Sequence, residues 1–509
     1  MLAQNSIYPD FAEFSEKYDI KRPQVVYSTL VADLETPVSA MLKIAAQSQY
    51  SFLLESVEGG SVRGRYSIIG LEPDVIWKCH KNTPEINRKA LSDTQTFITE
   101  TRGALDSLRQ LLEESEIKLP ANLPPMAAGL VGYMGYDTVR LMENIPDNNP
   151  SGLAVPDGLF IRPTIMAIFD SVLDTLTIVT PVRHNSTKTA KQAFDQALAR
   201  LSNVTDKFSR NIMPEKRSIK RETNTLNPVS NLGSETYKKI VNQAKEYIAA
   251  GDVFQVVLSQ RFSVPFRQHP FTLYRSLRRL NPSPFLFYLN FDEFAVVGSS
   301  PEILVRLRDD QVTIRPLAGT RRRGENLNED QSLATELKND PKEIAEHLML
   351  LDLGRNDVGR VTKIGTVHVT EQMGVEYYSH VMHLVSNVEG MVKEGLSAVD
   401  VLVGGFPAGT VSGAPKVRAM EIIDGLEQER RGIYAGCVGY FSANGTMDTC
   451  IALRTAIVKD GVMHVQAGAG IVADSVPELE DEECWNKASA LIRAAEQAID
   501  DSSEENSPP

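Results

Sequence analysis

The chain has 509 residues, of which 42% are hydrophobic and 23% charged, so it is long enough for two or more globular domains or one large core. Its formal net charge of -13 argues against a nucleic-acid-binding protein. The four cysteines lack Cys-x-x-Cys spacing, which indicates reduced thiols, and neither a targeting segment nor a membrane-spanning stretch is evident, so we expect a soluble cytoplasmic protein.

The first part of the chain, residues 1–204, has the patterns of a mixed α and β domain. Its predicted elements are a helix over 37–47, strands over 50–56, 67–80 and 129–136, two strands over 163–181 joined at Asp174, and a helix over 188–201. Residues 205–233 are polar and charged with a single aromatic residue, which predicts a linker.

A second unit, residues 234–499, begins with a helix that Gly251 ends. Strands are predicted over 254–262, 285–290, 294–297, 303–307, 312–314, 365–370, 380–388, 433–441, 446–458 and 462–466, with helices in the 340s, over 415–428 and over 477–499. Residues 500–509 are predicted to be a disordered tail. Many hairpin-linked strands with helices between them indicate an α+β class rather than a doubly wound parallel sheet.

Two acidic segments each hold a pair of glutamates three residues apart: Glu343 with Glu346, and Glu480 with Glu483. On a helix this spacing puts both carboxylates on one face. If the two helices meet, four carboxylates repel one another unless protons or a cation offset them, and Mg²⁺ is the natural candidate. Each pair also has a structural explanation, because Glu343 could cap a helix and Glu483 could pair with Lys487 on a solvated face.

Two glycine-rich stretches and two isolated side chains allow several readings. The stretch at 404–416, GGFPAGTVSGAPK, lacks the phosphate-loop pattern, but it could hold a carboxylate at a helix N-terminus or simply form a tight turn. Residues 467–470, AGAG, could admit a small anion or reflect crowding. Arg454 lies in an apolar strand pattern and needs a partner, either a ligand or an internal ion pair. His383, in a similar pattern, is more often a satisfied core residue than a catalyst.

Six segments together resemble the chorismate-utilising enzymes. They are SSPE at 299–302, PLAGTRRRG at 316–324, DPKEIAEHLMLLDLGRND at 340–357, VMHLVS at 381–386, GGFPAGTVSGAPKVRAMEII at 404–423 and AGAGIVADSVPELEDEECWNK at 467–487. They cover most of the chain from Ser234 to Ala495, in order. The resemblance implies a large antiparallel β-sandwich with helices inserted and packed outside, Mg²⁺ as cofactor, and chorismate, an enol-pyruvyl compound, as substrate.

The same resemblance implies a role for each motif residue. Glu346 and Glu483 match direct Mg²⁺ ligands, and Glu343 and Glu480 match residues that support the waters of the metal. Glu302 resembles the general acid that protonates the departing ring hydroxyl, which requires a protonated carboxyl. The other matched positions are His383, which assists pyruvate loss, Arg454, which grips the enol-pyruvyl carboxylate, and the pocket residues Gly319, Thr320, Thr410, Tyr434, Gly468, Ala469, Gly470 and Lys487.

Two positions distinguish among the activities of this family. Members that add water to the ring carry a lysine base where this chain has Gln255, which cannot deprotonate water. Aminodeoxychorismate synthase carries a lysine nucleophile where this chain has Ala318, so ammonia would add directly. The expected reaction is conversion of chorismate and ammonia to anthranilate and pyruvate, the first committed step of tryptophan biosynthesis. A non-catalytic amino-acid sensor would be expected to lack His383, Arg454 or the carboxylates, and all are present.

Ammonia and feedback control imply further partners. No cysteine lies in the Gly-x-Cys-x-Gly elbow of a glutaminase, so ammonia is expected from a separate glutamine amidotransferase subunit, in a heteromeric complex such as a heterotetramer. LLES at 53–56 could be merely a buried strand end. With NPSPFLFYL at 281–289, however, it resembles a feedback site for L-tryptophan. The residues that would line this site are Ser56, Pro284, Phe285 and Leu286. We expect inhibition through closure between two sheet layers.

Overall fold

The computed structural model describes residues 7–58, 62–209, 226–378 and 381–504. Three expectations lie wholly or partly outside these ranges. They concern the beginning of the chain, most of the linker predicted at 205–233, and the last five residues of the predicted tail.

Several helices begin where the sequence supplies a side-chain cap. Thr36, Thr189 and Ser397 each form a capping box, and the side chain of Asp340 accepts from the backbone of the first turn that follows it. The described helices are α1 (Phe11–Asp19), α2 (Pro37–Ile44), α3 (Ala104–Glu113), α4 (Ala190–Phe208), α5 (Ser234–Ala249), α6 (Pro270–Leu280), α7 (Leu327–Asn339), α8 (Pro341–Val361), α9 (Ala398–Gly405), α10 (Lys416–Leu426) and α11 (Pro477–Glu504). Across the described ranges, none of them is both long and apolar enough to cross a membrane.

The strands pair antiparallel throughout the described residues, and 23 of them join one connected sheet system. They are β1 (Ile7–Tyr8), β2 (Gln24–Val31), β3 (Tyr50–Glu55), β4 (Val57–Glu58), β5 (Val62–Arg63), β6 (Tyr66–His80), β7 (Thr83–Asn87), β8 (Ile98–Thr99), β9 (Gly129–Met134), β10 (Gly158–Asp170), β11 (Thr175–Val182), β12 (Val229–Ser230), β13 (Gln255–Pro265), β14 (Phe285–Phe291), β15 (Phe294–Ser300), β16 (Ile303–Arg308), β17 (Gln311–Ile314), β18 (Leu317–Arg322), β19 (His368–Tyr377), β20 (Val381–Met391), β21 (Gly413–Ala414), β22 (Cys437–Ser442), β23 (Met447–Ile451), β24 (Thr455–Lys459) and β25 (Val462–Ile471). The short strands β4 and β5 pair in a separate two-stranded sheet.

The core has the layers of a sandwich. One cluster, which includes Phe52, Tyr133 and Phe287, is built from strands and connecting segments without any described α-helical residue. A second cluster packs strands against α5, α6 and α11, and a third packs strands against α3, α8 and α9. Sheets therefore face each other across the first cluster while helices cover their outer faces, which confirms the predicted α+β class and antiparallel sandwich.

Strand pairs join the two predicted parts of the chain. Strand β3 pairs with β14, where Leu53 lies opposite Tyr288, and β9 pairs with β22, where Met134 lies opposite Cys437. The division at 205–233 remains a prediction, and the sheet crosses it at both of these pairs.

Four expected boundaries differ in the structure. The strand predicted over 446–458 is two strands, because the chain turns between β23 and β24, where Arg454 has a φ of 47°. Residues 467–470 lie inside β25 rather than beyond its end. Helix α4 continues to Phe208, inside the predicted linker, and α11 continues to Glu504, inside the predicted tail.

Candidate active site

Glu302 follows strand β15 and is buried, with only 6% of its surface exposed. The hydroxyl of Thr410 donates a hydrogen bond to its Oε2 over 3.2 Å. Burial raises the pKa of Glu302 to about 8, although the Thr410 bond, the backbone N–H of Leu317 and the charge of Arg454 act in the opposite direction. The carboxyl is therefore mostly protonated at neutral pH and can serve as a proton donor.

His383, on β20, is held by one ring nitrogen. Its Nδ1 lies 3.0 Å from the carbonyl oxygen of Gly319 and 3.1 Å from the hydroxyl of Thr320. Because a carbonyl only accepts, Nδ1 carries the hydrogen and Nε2 keeps its lone pair. Nε2 is buried and has no partner among the described residues. Burial and the charge of Arg454 lower the pKa of His383 to about 4, so the ring is neutral and Nε2 can accept a proton.

Arg454 lies in the turn between β23 and β24 rather than within a strand, so the expected strand context was wrong. Its guanidinium makes no hydrogen bond or ion pair with any residue that the structure describes. Burial lowers its pKa, and the nearby acidic groups Tyr378 and Glu302 oppose that effect. Because a half-buried guanidinium without a partner costs free energy, this side chain is suited to a carboxylate ligand.

Two glycines of β25 line the same face of the strand. A Cβ atom at Gly468 would lie 2.8 Å from Oη of Tyr434, and one at Gly470 would lie 2.5 Å from Nε2 of Gln255. Ala469 points to the opposite face, where its methyl group is fully buried in the core. The two glycines therefore leave bare backbone beside Tyr434 and Gln255, while the Ala469 side chain faces away from the pocket.

Helices α8 and α11 bring the four predicted glutamates near one another. Burial and the charges of Glu343 and Glu483 raise the pKa of Glu346. Burial and the charge of Glu483 likewise raise the pKa of Glu480. Glu346 is therefore close enough to Glu343 and Glu483, and Glu480 close enough to Glu483, for their like charges to repel between and along the two helices.

Two cations offset part of that repulsion. Arg321 donates to Glu343 over 2.9 Å, and Lys487 lies 2.7 Å from Glu483 while also donating to the carbonyl of Gly468 over 2.9 Å. The structural explanation offered for Glu483, a pair with Lys487, is therefore confirmed. In the described ranges, no three acidic, histidine or cysteine side chains are arranged closely enough to hold a metal ion.

The residues expected to bind tryptophan meet at a cavity of about 690 Å³. Ser56, Pro284, Phe285 and Leu286 line it, and Glu302 forms part of the same wall. The cavity therefore connects the expected regulatory residues with the candidate acid.

Tyr378 was missed in the sequence. Its ring lies edge-on to His383, with 5.3 Å between ring centroids, and its hydroxyl donates to Glu376 over 3.0 Å. Tyr378 also lines the cavity. The signal in the sequence was the pair of tyrosines at 377–378, separated by two residues from the VMHLVS segment.

Comparisons with known proteins find relatives that match nearly the whole chain. The model of a family described as chorismate binding enzyme matches residues 58–493. Anthranilate synthase component 1 from Cereibacter sphaeroides is 54% identical over 488 residues, which cover 96% of this chain and 97% of the relative. The protein of the same name from Thermus thermophilus is 47% identical over 474 residues, 92% of this chain and 97% of its own.

Solved structures give the same result. Anthranilate synthase component I from Streptococcus pneumoniae superposes with a TM-score of 0.74 at 34% identity, over 91% of this chain and 98% of that one. The menaquinone-specific isochorismate synthase from Escherichia coli shares the fold, with a TM-score of 0.70 at 22% identity over 93% of this chain and 95% of that one.

Proposed function

The chain belongs to the chorismate binding enzyme family and converts chorismate to anthranilate in tryptophan biosynthesis, and we propose that Glu302 and His383 are the acid and base of this reaction. The observation that carries the proposal is the buried carboxyl of Glu302, whose pKa of about 8 keeps it protonated at neutral pH. A proton donor of this kind is what departure of a ring hydroxyl requires.

The first half of the reaction joins ammonia to the ring. The nitrogen lone pair forms a bond to the ring carbon beside the one that bears the carboxylate. The ring double bonds shift as the C–O bond of the hydroxyl breaks, and Glu302 supplies the proton with which the hydroxyl leaves as water. Arg454 holds the enol-pyruvyl carboxylate, and Tyr434 with the bare backbone at Gly468 and Gly470 shapes the pocket around the ring.

The second half releases pyruvate and makes the ring aromatic. Nε2 of His383 accepts the ring hydrogen as a proton, the C–O bond to the side chain breaks, and the methylene carbon of the enol-pyruvyl group gains a proton to become the methyl of pyruvate. Chorismate and ammonia thus give anthranilate, pyruvate and water. The free lone pair on Nε2 and the neutral ring of His383 support this role.

We also propose that the four glutamates of α8 and α11 bind Mg²⁺. Glu346 and Glu483 would hold the ion directly, and Glu343 and Glu480 would hold its waters. The mutual repulsion that raises the pKa of Glu346 and Glu480 supports this proposal, since hard oxygen ligands of like charge are what Mg²⁺ prefers. When bound, the ion would supply positive charge to the ring carboxylate of chorismate.

The relatives are named component 1, which implies a second component. We propose that this partner is a glutamine amidotransferase that delivers ammonia, because all four cysteines of this chain are free and buried and the pKa of each thiol is raised. Reduced thiols also suit the cytoplasm as the place of the reaction. L-tryptophan is the proposed inhibitor at Ser56, Pro284, Phe285 and Leu286.

One assay tests the reaction and the partner together. The purified chain is incubated with chorismate, MgCl₂ and an ammonium salt, and anthranilate fluorescence and pyruvate are measured. Both products are expected with ammonium and neither with glutamine as the sole nitrogen source. An aminated chorismate without pyruvate would contradict the His383 step, and turnover of glutamine by the chain alone would contradict the separate amidotransferase.

A further inference from the structure

Arg431 is a buried cation outside the set of residues that the reaction uses. It lies just after α10, with 3% of its surface exposed, and its partner Glu427 is 5% exposed. Arg431 donates to Glu427 through Nε over 2.9 Å and through Nη2 over 2.6 Å. A charge pair this deeply buried is expensive to desolvate, so it calls for an explanation beyond stability.

The guanidinium of Arg431 holds two segments of the candidate site. Nη1 donates to the carbonyl of Val411 over 2.7 Å, and Nη2 donates to the carbonyl of Val257 over 2.6 Å. Val411 follows Thr410 in the short 3-10 turn at Gly409–Val411. Arg431 therefore holds the residue next to Thr410, whose hydroxyl donates to Glu302.

A third segment lies against the face of the same guanidinium. The ring centroid of Tyr434 is 5.6 Å from the Arg431 Cζ atom, and that of Tyr136 is 4.7 Å from it. Glu427 in turn accepts from the backbone N–H of Ser259 over 2.8 Å and from its hydroxyl over 2.9 Å. One buried ion pair thus joins the turn that carries Thr410, strand β13 and the pocket tyrosine.

We propose that Arg431, held by Glu427, is a positioning residue that fixes Thr410 against Glu302 and Tyr434 against Gly468. The inference rests on the proposed function of Glu302. Arg431 itself is assigned no contact with substrate. Its planar fork reaches several acceptors in fixed directions, which a lysine cannot reproduce.

The test compares Arg431→Lys with Thr410→Val in the ammonium-dependent assay across pH. Besides burial, the Thr410 hydroxyl, the Leu317 N–H and the charge of Arg454 act on the pKa of Glu302, and the charge of Glu302 in turn acts on Tyr378. The Thr410 bond stabilises the charged carboxylate, so its loss should raise the pKa of Glu302. Both variants should therefore move the alkaline limb of the pH profile of kcat to higher pH by roughly 0.5 to 1 unit. A displaced Thr410 should also lower kcat about 10- to 100-fold in Arg431→Lys.

Further measurements separate positioning from general loss of structure. The double variant Arg431→Lys/Thr410→Val should shift the alkaline limb of kcat no further than either single change, because both act through the same Thr410–Glu302 bond. KM for chorismate should rise more in Arg431→Lys than in Thr410→Val, because only the former also releases Tyr434. Glu427→Gln, which alters the pair with little change of shape, should give a smaller shift in the same direction.

The matched control is Arg162→Lys. Arg162 is 8% exposed and pairs with Asp74 between β10 and β6 through bonds of 2.7 and 2.9 Å. It should lose thermal stability without moving the alkaline limb. The inference is wrong if the limb stays at its wild-type position in Arg431→Lys and Glu427→Gln, or if Arg162→Lys moves it equally. Absence of anthranilate from the wild-type chain would instead reject the proposed function.

Discussion

Nδ1 of His383 points at the carbonyl oxygen of Gly319 across 3.0 Å, and this one contact decides which ring nitrogen is free. The backbone of Gly319 can face the ring because its φ is +71°, a conformation that other residues adopt with difficulty. The glycine and the histidine are therefore one unit, in which the backbone of the first sets the tautomer of the second.

His383→Gln should lower kcat by about 10²- to 10⁴-fold, the usual range for loss of a general base. The matched control is His464→Gln, because burial also lowers the pKa of His464 to about 4 but its Nδ1 bonds Ser263 away from the site. Initial rates of anthranilate formation with ammonium measure both. Equal losses in the two variants would contradict the role of His383.

The pKa of His383 also predicts a pH dependence of stability. The ring titrates at about 4 in the folded chain and at 6.5 when unperturbed, so the unfolded state takes up the proton first as the pH falls. The free energy of unfolding should therefore decrease between pH 6.5 and about 4. Urea unfolding of the wild type and His383→Gln should show a shallower decrease in the variant.

Glu302→Gln should have opposite effects on activity and on stability. The wild-type carboxyl keeps its proton up to about pH 8 in the folded state but only to 4.5 when unperturbed, so stability falls as the pH rises through this window. The glutamine variant lacks that decline, so relative to the wild type it should gain stability between pH 5 and pH 9.

The activity of the same variant should fall about 10²- to 10⁴-fold, while kcat of the wild type should decline as the pH rises through about 8. Glu371→Gln, a change at an exposed position of β19, is the control and should follow the wild-type pH profile. Full activity in Glu302→Gln would exclude this residue as the acid.

Magnesium should stabilise the chain through the facing glutamates. Excess MgCl₂, at 100 times its Kd, would add about 2.7 kcal/mol to the free energy of unfolding. Thermal melting with and without MgCl₂ should show this gain in the wild type and lose most of it in Glu346→Gln. Glu478→Gln, at an exposed position in the first turn of α11, is the control; a gain that survives in Glu346→Gln would reject the assignment.

Tryptophan should inhibit the enzyme, and Ser56→Phe should raise the concentration needed for half-inhibition at least tenfold, a change of about 1.4 kcal/mol in binding. The added ring would occupy part of the cavity beside Phe285. Each variant is compared with its own uninhibited rate, and Ser92→Phe, at an exposed turn, is the control. Unchanged inhibition in Ser56→Phe would place the inhibitor elsewhere.

The sequence was a sufficient guide wherever local pattern and motif determined the structure. Alternation and turn residues located most strands, and the two Asp residues at 309–310 lie at positive φ between β16 and β17 as expected of a hairpin turn. The motifs of the chorismate-utilising enzymes pointed to Glu302, His383 and the four glutamates, whose roles stay predictions. These features depend on short stretches of chain.

Features that depend on distant contacts were not predictable in this way. The break at Arg454 interrupts a pattern that reads as one strand, and it depends on Ser299, whose N–H donates to the Arg454 carbonyl over 3.1 Å. Helix α7 also escaped notice, because its mostly polar residues form only a weak apolar face. The raised pKa of Glu302 comes from burial by several separate elements, which no single motif contains.

The antiparallel pair of β9 with β22 has a consequence for how the molecule acquires its structure. Met134 and Cys437 lie opposite each other although most of the chain separates them, so this ladder closes a very long loop. Such pairings make folding slow, and β9 emerges from the ribosome long before its partner exists. Until then the unpaired edge of β9 can form hydrogen bonds with non-native strands, so the nascent chain should depend on chaperones. The part of the sheet system that β9 and β22 complete should thus form late.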